Sequence, residues 1–253
     1  MVTEQPEMMA IFLDIFSGLP RQGPGSPEST RQAWALCDGL PDTPNVLDVG
    51  CGSGIQTITL AELTDGQFVA VDYHRVMLDE FKDKLMDSPL ASRIRLEQAD
   101  MKNLPFDKAS FDLIWSEGAI YIMGMEAGLS AWRKLLKPNG LIAFSEVVWI
   151  QENRPDAIQE FWETEYPSIT TVDENLERID AVGYDVLGHF TLPDSDWWTH
   201  FYTHLNNKLP ELEEKYGDNE VGQSVLEGVH REIAIRRDYG AWYSYEFFVC
   251  RPK

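Results

Sequence analysis

The stretch Val46-Leu47-Asp48-Val49-Gly50-Cys51-Gly52-Ser53-Gly54 constrains this chain more than any other. An apolar run with an acid inside it reads as a buried strand, and three alternating glycines follow at once. Residues 55–63 then return to a helical pattern. Glycine lets the backbone turn sharply, and the first turn of the next helix offers unpaired amides to a ligand. A strand, a bare turn and a helix in that order suit a parallel sheet with helical crossovers.

The same alternation continues downstream. Apolar runs at 45–49, 68–71, 94–96, 111–115 and 141–148 predict five buried strands, and helical patterns fill 55–63, 74–86 and 125–136. Lys137-Pro138-Asn139-Gly140 reads as a turn. Upstream, Met8, Met9, Ile11, Phe12, Ile15 and Phe16 recur at helical spacing before a break at Gly18-Leu19-Pro20. A second helix follows, with Ser26 as its cap, Pro27 in its first turn and Gly39 as its left-handed stop. Beyond Ile150 the spacing predicts helices near 155–165, 172–182, 194–215 and 218–237, and strands near 185–191 and 241–250. One domain over 1–253 results: N-terminal helices and a candidate lid at 1–40, a cofactor-binding core at 45–150, accessory substrate-side helices with a sixth strand at 151–240, and a last strand at 241–253.

Forty-two acidic against 21 basic side chains leave a formal charge of −21, which repels phosphate backbones and anionic lipid and makes nucleic acid an unsuitable partner. The acidity serves equally as a solubility device. No apolar run reaches the roughly 18 residues of a membrane span. Leu141 to Ile150, the best candidate, carries Glu146 in its middle. Glu4 and Glu7 near the start do not fit a secretion signal, so the expected location is cytoplasmic. Cys37, Cys51 and Cys250 stand too far apart for a disulfide framework or a zinc site.

A dinucleotide fingerprint needs G-x-G-x-x-G, but Gly54 falls one residue early and Ile55 occupies the required position. With Asp48 two residues ahead of Gly50, the pattern D-x-G-x-G-x-G resembles the first motif of class I S-adenosylmethionine-dependent methyltransferases, of the small-molecule, type 11-like kind. The resemblance extends over about residues 45–150. It implies that Asp48, Gly50, Cys51, Gly52 and Gly54 form the seat for the methionine part of the cofactor. Asp72, ending the second strand, would then accept hydrogen bonds from the ribose, with Tyr73 beside the adenine. Gln98-Ala99-Asp100-Met101 resembles the loop that holds the adenine amine, which assigns Asp100 and Met101 to cofactor binding. Phe111-Asp112-Leu113-Ile114-Trp115-Ser116-Glu117 is similar to the family's fourth strand, so Ser116 and its neighbours border the active site. Trp132 to Leu141 resembles the helix, turn and fifth strand. The implied fold is α/β: a doubly wound, seven-stranded Rossmann-like sheet of order 3-2-1-4-5-7-6, its last strand antiparallel, with N-terminal and inserted accessory helices.

The implied reaction is methyl transfer from S-adenosylmethionine, leaving S-adenosylhomocysteine, to a small molecule. If the acceptor must lose a proton, Glu117, Glu146, His189 and His200 are the candidate bases, each of which serves equally as an ion-pair or packing residue. Trp115, Tyr121, Trp149, Phe161, Trp162, Tyr166, Trp197, Trp198 and Tyr202 either wall a substrate pocket or pack accessory helices. Gly23-Pro24-Gly25-Ser26 is either a lid over the cofactor or a plain turn. His74, His204 and His230 form no metal-ligand spacing, so no catalytic metal is expected. The rivals are a nucleoside-binding protein of the same fold without turnover and an NAD-dependent oxidoreductase. The acceptor, the atom methylated and the oligomeric state stay open.

Overall fold

The computed structural model describes residues 4–253. Helices α1 (Glu4–Phe16) and α2 (Pro27–Trp34) precede the sheet. The core runs β1 (Asn45–Val49), α3 (Ile55–Leu63), β2 (Gln67–Asp72), α4 (Arg75–Leu85), β3 (Ile94–Gln98), β4 (Phe111–Ser116), α5 (Met125–Trp132) and β5 (Leu136–Trp149). Then come α6 (Asp156–Glu165), the two-residue β6 (Thr170–Thr171), α7 (Val172–Ala181) and β7 (Tyr184–Thr191). A helical insert follows, made of α8 (Asp194–Trp197), a π-helical turn (Trp198–Tyr202), α9 (Thr203–Tyr216) and α10 (Glu220–Tyr239), and β8 (Tyr243–Pro252) closes the chain.

The sheet order is β3-β2-β1-β4-β5-β8-β7, with β6 pairing β5 beside that path. Setting the short β6 aside, this is the expected 3-2-1-4-5-7-6 arrangement, and β8 lies antiparallel to both β5 and β7. Side chains alternate between faces along each strand. Val46, Leu113, Trp115, Leu141 and Ala143 join one buried layer, and Leu47, Ile114, Ile142 and Phe144 join the other. Helices cover both layers, which is why the strands read as continuous apolar runs. A third core forms where Ile11, Ile15 and Phe16 of α1 meet Phe201, Leu205, Leu209 and Ile233 of the insert. The ammonium of Lys208 donates to Asp14 O and, at 2.7 Å, to Ser17 O, capping the carbonyl end of α1 and tying it to α9.

Three local expectations change. Lys137-Pro138-Asn139-Gly140 is not a turn outside the sheet but an excursion within β5. Phe111 pairs with Leu136 and Leu113 with Leu141, and Asn139 absorbs the mismatch at φ 65°. Helix α2 has the expected Ser26 cap, whose Oγ accepts from the Ser29 amide at 3.1 Å, but it ends at Trp34. Gly39, at φ 85°, therefore shapes the following loop instead of stopping the helix.

Gly54 caps α3 in the left-handed region at φ 84°, and a Cβ there would lie 2.3 Å from the buried ring of Phe81. Left-handed backbone with a side chain costs about 1–2 kcal/mol, and crowding a packed core adds to it. Gly54→Ala is expected to lose about 2 kcal/mol of stability, read as a lower urea midpoint at unchanged m-value. An unchanged midpoint would show that Phe81 moves freely.

Candidate functional site

At the carboxyl ends of β1, β2 and β4 the sheet opens into a cavity of about 710 Å3, the place where open parallel sheets take ligands. The glycine loop forms one wall. Gly50 and Cys51 both donate their amides to Val71 O at 2.9 Å, which binds the loop to the end of β2. Gly50 sits at φ 77°, with room for a Cβ denied by the methyl of Ala119 at 2.4 Å. Asp72 projects across this loop: one carboxylate oxygen accepts from the Gly52 amide at 2.9 Å and the other from the His74 amide at 2.8 Å. Both bonds hold the carboxylate in a fixed orientation while it still lines the cavity.

Gly50, Cys51, Gly52, Asp72, Tyr73, Asp100 and Met101 all line this one cavity. Tyr73 is 64 % exposed at its rim. Asp100 shapes its own loop by accepting from the Lys102 amide at 2.9 Å, and Trp132 Nε1 holds Met101 O at 3.0 Å. The Cys51 thiol is raised well above its ordinary value, by burial first and then by Asp48 and Asp72. It is a packing group, not a nucleophile.

Asp48, Gly54 and Ser116 do not line the cavity. Asp48 is fully buried behind the loop, accepting from Thr57 Oγ1 at 2.5 Å, and Ser116 donates to Val49 O at 3.0 Å. Their side chains brace the turn from beneath. Burial pushes the Asp48 carboxyl up from an ordinary 3.8 to about 7, with Thr57 opposing and the Glu117 and Asp72 charges reinforcing. Between those pH values the folded chain holds a proton that the unfolded chain has released, so this group's contribution falls as pH rises toward and through 7. Asp48→Asn is expected to flatten that part of the slope. Urea midpoints of the two chains compared at pH 5 and pH 8 check it, and parallel slopes would contradict it.

The candidate bases fare differently. Glu117, 4 % exposed, is fully engaged: it accepts from Thr30 Oγ1 at 2.7 Å, Trp115 Nε1 at 2.9 Å and the Arg21 guanidinium. Three donors make it an anchor, not a free base. Glu146 on β5 is 2 % exposed, raised to about 8 by burial, and stands behind the lining residues Tyr166 and Tyr245. His200 is off the cavity wall, where α8 presents Trp197 and the π-helical turn presents Phe201 and Tyr202 instead. His189 pairs with Glu246 at 2.6 Å on β7 and β8 and is not a lining residue either. Among the described residues no group of three or more histidine, cysteine, aspartate or glutamate side chains is placed to hold a metal, and no helix is long and apolar enough to cross a membrane.

Arg21, Gln22 and Glu232, which the sequence motifs did not mark, complete the site together with the candidate lid and the candidate pocket aromatics. The segment between α1 and α2 crosses the glycine loop as a strap: Gln22 Oε1 accepts from the Ser53 amide at 2.8 Å, and Gly23 and Pro24 line the cavity. Arg21 pairs with Glu117, and the strap's far end is tied to the insert, with Gly25 N donating to Asp196 O at 3.2 Å and Ser29 Oγ to Asp196 Oδ2 at 2.6 Å. At the opposite end, Glu232 of α10 enters the wall with Phe161, Trp162, Tyr243 and Tyr245. Its signal was available: an acid inside the buried helical stripe Leu226, Val229, Ile233 and Arg236.

A seven-stranded sheet with a reversed last strand, and a glycine loop facing an acid at the end of β2, define the class I methyltransferase fold. Residues 46–140 match the family model of the methyltransferase domain. Among solved structures, a methyltransferase of Geobacter sulfurreducens in complex with S-adenosylhomocysteine superposes with a TM-score of 0.82 at 19 % identity, over 98 % of both chains. The [4+2]-cyclase SpnF shares the fold with a TM-score of 0.71 at 19 % identity, over 88 % of this chain and 80 % of its own. Among curated proteins, a sterol 24-C-methyltransferase of Pneumocystis carinii is 27 % identical over 186 residues, 70 % of this chain and 49 % of that protein. The chain spans about half the length of the curated relatives it matches.

Proposed function

We propose that this protein transfers a methyl group from S-adenosylmethionine to a small molecule enclosed in the cavity. The observation that carries this reading is Asp72, an acid held by two backbone amides in the wall of a cavity whose other walls are bare glycine backbone and an aromatic chamber. The residues suit the cofactor. Asp72 would accept from the ribose hydroxyls, Gly50 to Gly52 would offer main chain to the methionine part, and Asp100 and Met101 would border the adenine. Arg21 adds a further fit: among the described residues its buried Nη1 has no partner, and a carboxylate in the cavity would satisfy it.

The cofactor, when bound, supplies a methyl group made electrophilic by its sulfonium. The chain's own residues then have to align an acceptor and exclude water. The strap over the glycine loop and the helical insert close two sides of the cavity, which favours a small acceptor over a polymer. The charge of −21 disfavours nucleic acid further.

A second reading is a protein of this fold that binds the cofactor and does not transfer its methyl group. Two observations favour it: Glu117 is spent on three donors, and a [4+2]-cyclase carries the same fold. Calorimetric titration with S-adenosylmethionine, S-adenosylhomocysteine and NAD, followed by mass spectrometry of candidate acceptors, separates the readings. Saturable binding of the first two with a methylated product supports transfer. Binding without product in any acceptor supports the second reading, and no binding by folded protein overturns both.

A further inference from the structure

The inner end of the cavity has a composition that narrows the acceptor. Glu232 of α10 is half-buried against the π-helical turn and lines the cavity. One carboxylate oxygen accepts from Tyr202 OH at 2.7 Å, and among the described residues no second side chain bonds it. Around it the rings form a continuous wall. Trp162 meets Tyr243 edge-on at 5.0 Å between centroids, Trp197 meets Tyr243 at 5.6 Å and 88°, and Trp197 stacks on Tyr245 at 5.2 Å. Tyr121 and Tyr245 each feel the charges of both Glu232 and Glu146, so both tyrosines lie near the two acids.

Among the described residues that line the chamber, none places a cation beside Glu232. The lining residues include two strong cations, Arg21 and Lys102, and both belong to the cofactor end, where Arg21 is already paired with Glu117. Arg231 holds its Cζ 5.2 Å over the ring of Phe161 without lining the cavity, and Arg236 holds its own 4.0 Å over the ring of Trp197 while its nitrogens donate to Tyr243 O at 2.8 Å and Asp194 Oδ1 at 2.7 Å. It is not a lining residue. A carboxylate facing an aromatic chamber without a counter-ion is costly to ionise, and a cation brought there gains both from the charge and from the ring faces. An anion meets repulsion on the same ground.

We propose that this inner chamber is a subsite for a protonated amine, with Glu232, oriented by Tyr202, as its counter-ion and Trp162, Tyr243 and Tyr245 as its aromatic walls. The proposal rests on the methyltransferase reading and deepens it: the amine is the methyl acceptor. An ammonium has no lone pair to offer. One proton must leave its nitrogen for the free oxygen of Glu232, which turns the carboxylate and ammonium pair into a carboxylic acid and a neutral amine and leaves the lone pair exposed. Burial raises the Glu232 carboxyl above its ordinary value, which brings it closer to accepting that proton.

The test uses the full chain saturated with S-adenosylhomocysteine. Calorimetric titration with phenethylamine and hexylamine is compared with 2-phenylethanol, hexanol, phenylacetate and hexanoate, which match them in size. Both amines are expected to bind at least tenfold more tightly than the matched alcohols and acids. Glu232→Gln is expected to remove that preference while keeping S-adenosylhomocysteine affinity within twofold, which also shows that the variant folds. Tyr202→Phe, which removes the orienting hydroxyl alone, is expected to lose part of the preference. Alcohols or acids that bind as tightly as the amines, or amines that fail to saturate a chain that binds S-adenosylhomocysteine, overturn the amine subsite and leave the cofactor reading standing. Failure to bind S-adenosylhomocysteine overturns the reading beneath it.

Discussion

Asp72→Ala is expected to lower the affinity for S-adenosylhomocysteine at least 100-fold. In the proposed binding mode the carboxylate accepts from two ribose hydroxyls, and hydrogen bonds to a charged group contribute about 1.5–3 kcal/mol each, against about 1.4 kcal/mol per tenfold in affinity. The substitution also frees the amides of Gly52 and His74, which Asp72 now holds at 2.9 and 2.8 Å, so the loop loses its fixed shape. Asp72→Asn keeps the size and one acceptor oxygen and is expected to lose less. Titration of all three chains at equal ionic strength, with circular dichroism as the check on folding, reads the effect. An Asp72→Ala affinity within threefold of the parent would remove Asp72 from the site.

The second large effect concerns the strap. Arg21 and Glu117 form an ion pair with side-chain exposures of 6 % and 4 %, and removing one member of a buried pair costs about 3–5 kcal/mol because the other charge is stranded. Arg21→Ala is expected near the lower end, about 3 kcal/mol, since Thr30 and Trp115 still donate to Glu117. Adding Glu117→Gln removes the stranded charge, so the double variant is expected to recover about 1 kcal/mol or more. Urea unfolding of the four chains completes the cycle. Strict additivity would mean that the two side chains do not sense each other.

What the sequence disclosed and what it withheld divide along a physical line. β1, the glycine loop and α3 were legible because local chemistry dictates them: a buried strand, left-handed glycines and a helix start are readable within ten residues. Asp72 was legible for the same reason, as an acid ending an apolar run. Asp48 shows the limit of that reading, because the motif names the residue and only the packing tells that it grips Thr57 from below the loop. Arg21 and Gln22 escaped because their partners, Glu117 and Ser53, are distant in sequence and nothing local marks an ion pair. The excursion at 137–140 looked like a turn because Pro-Asn-Gly makes turns; its continuation within the strand depends on β4 beside it. Glu232 was visible as an acid within an apolar stripe, but its meaning required knowing that the stripe faces a cavity.

The π-helical turn at Trp198–Tyr202 ties the chamber to chain length as much as to residue identity. An i→i+5 turn accommodates an extra residue relative to an α-helical one, and here it sits where Trp197, Phe201 and Tyr202 all reach the cavity. Deleting a single residue in that turn would let the helix close as an α-helix with both flanks near their present register, so the change falls on the turn's own side chains, among them Phe201 and Tyr202, which line the cavity. The glycine loop and Asp72, built on other elements, would keep their positions. One codon lost at this point would thus remodel one wall of the cavity while sparing the glycine loop, a route by which related chains could diverge in what the cavity admits.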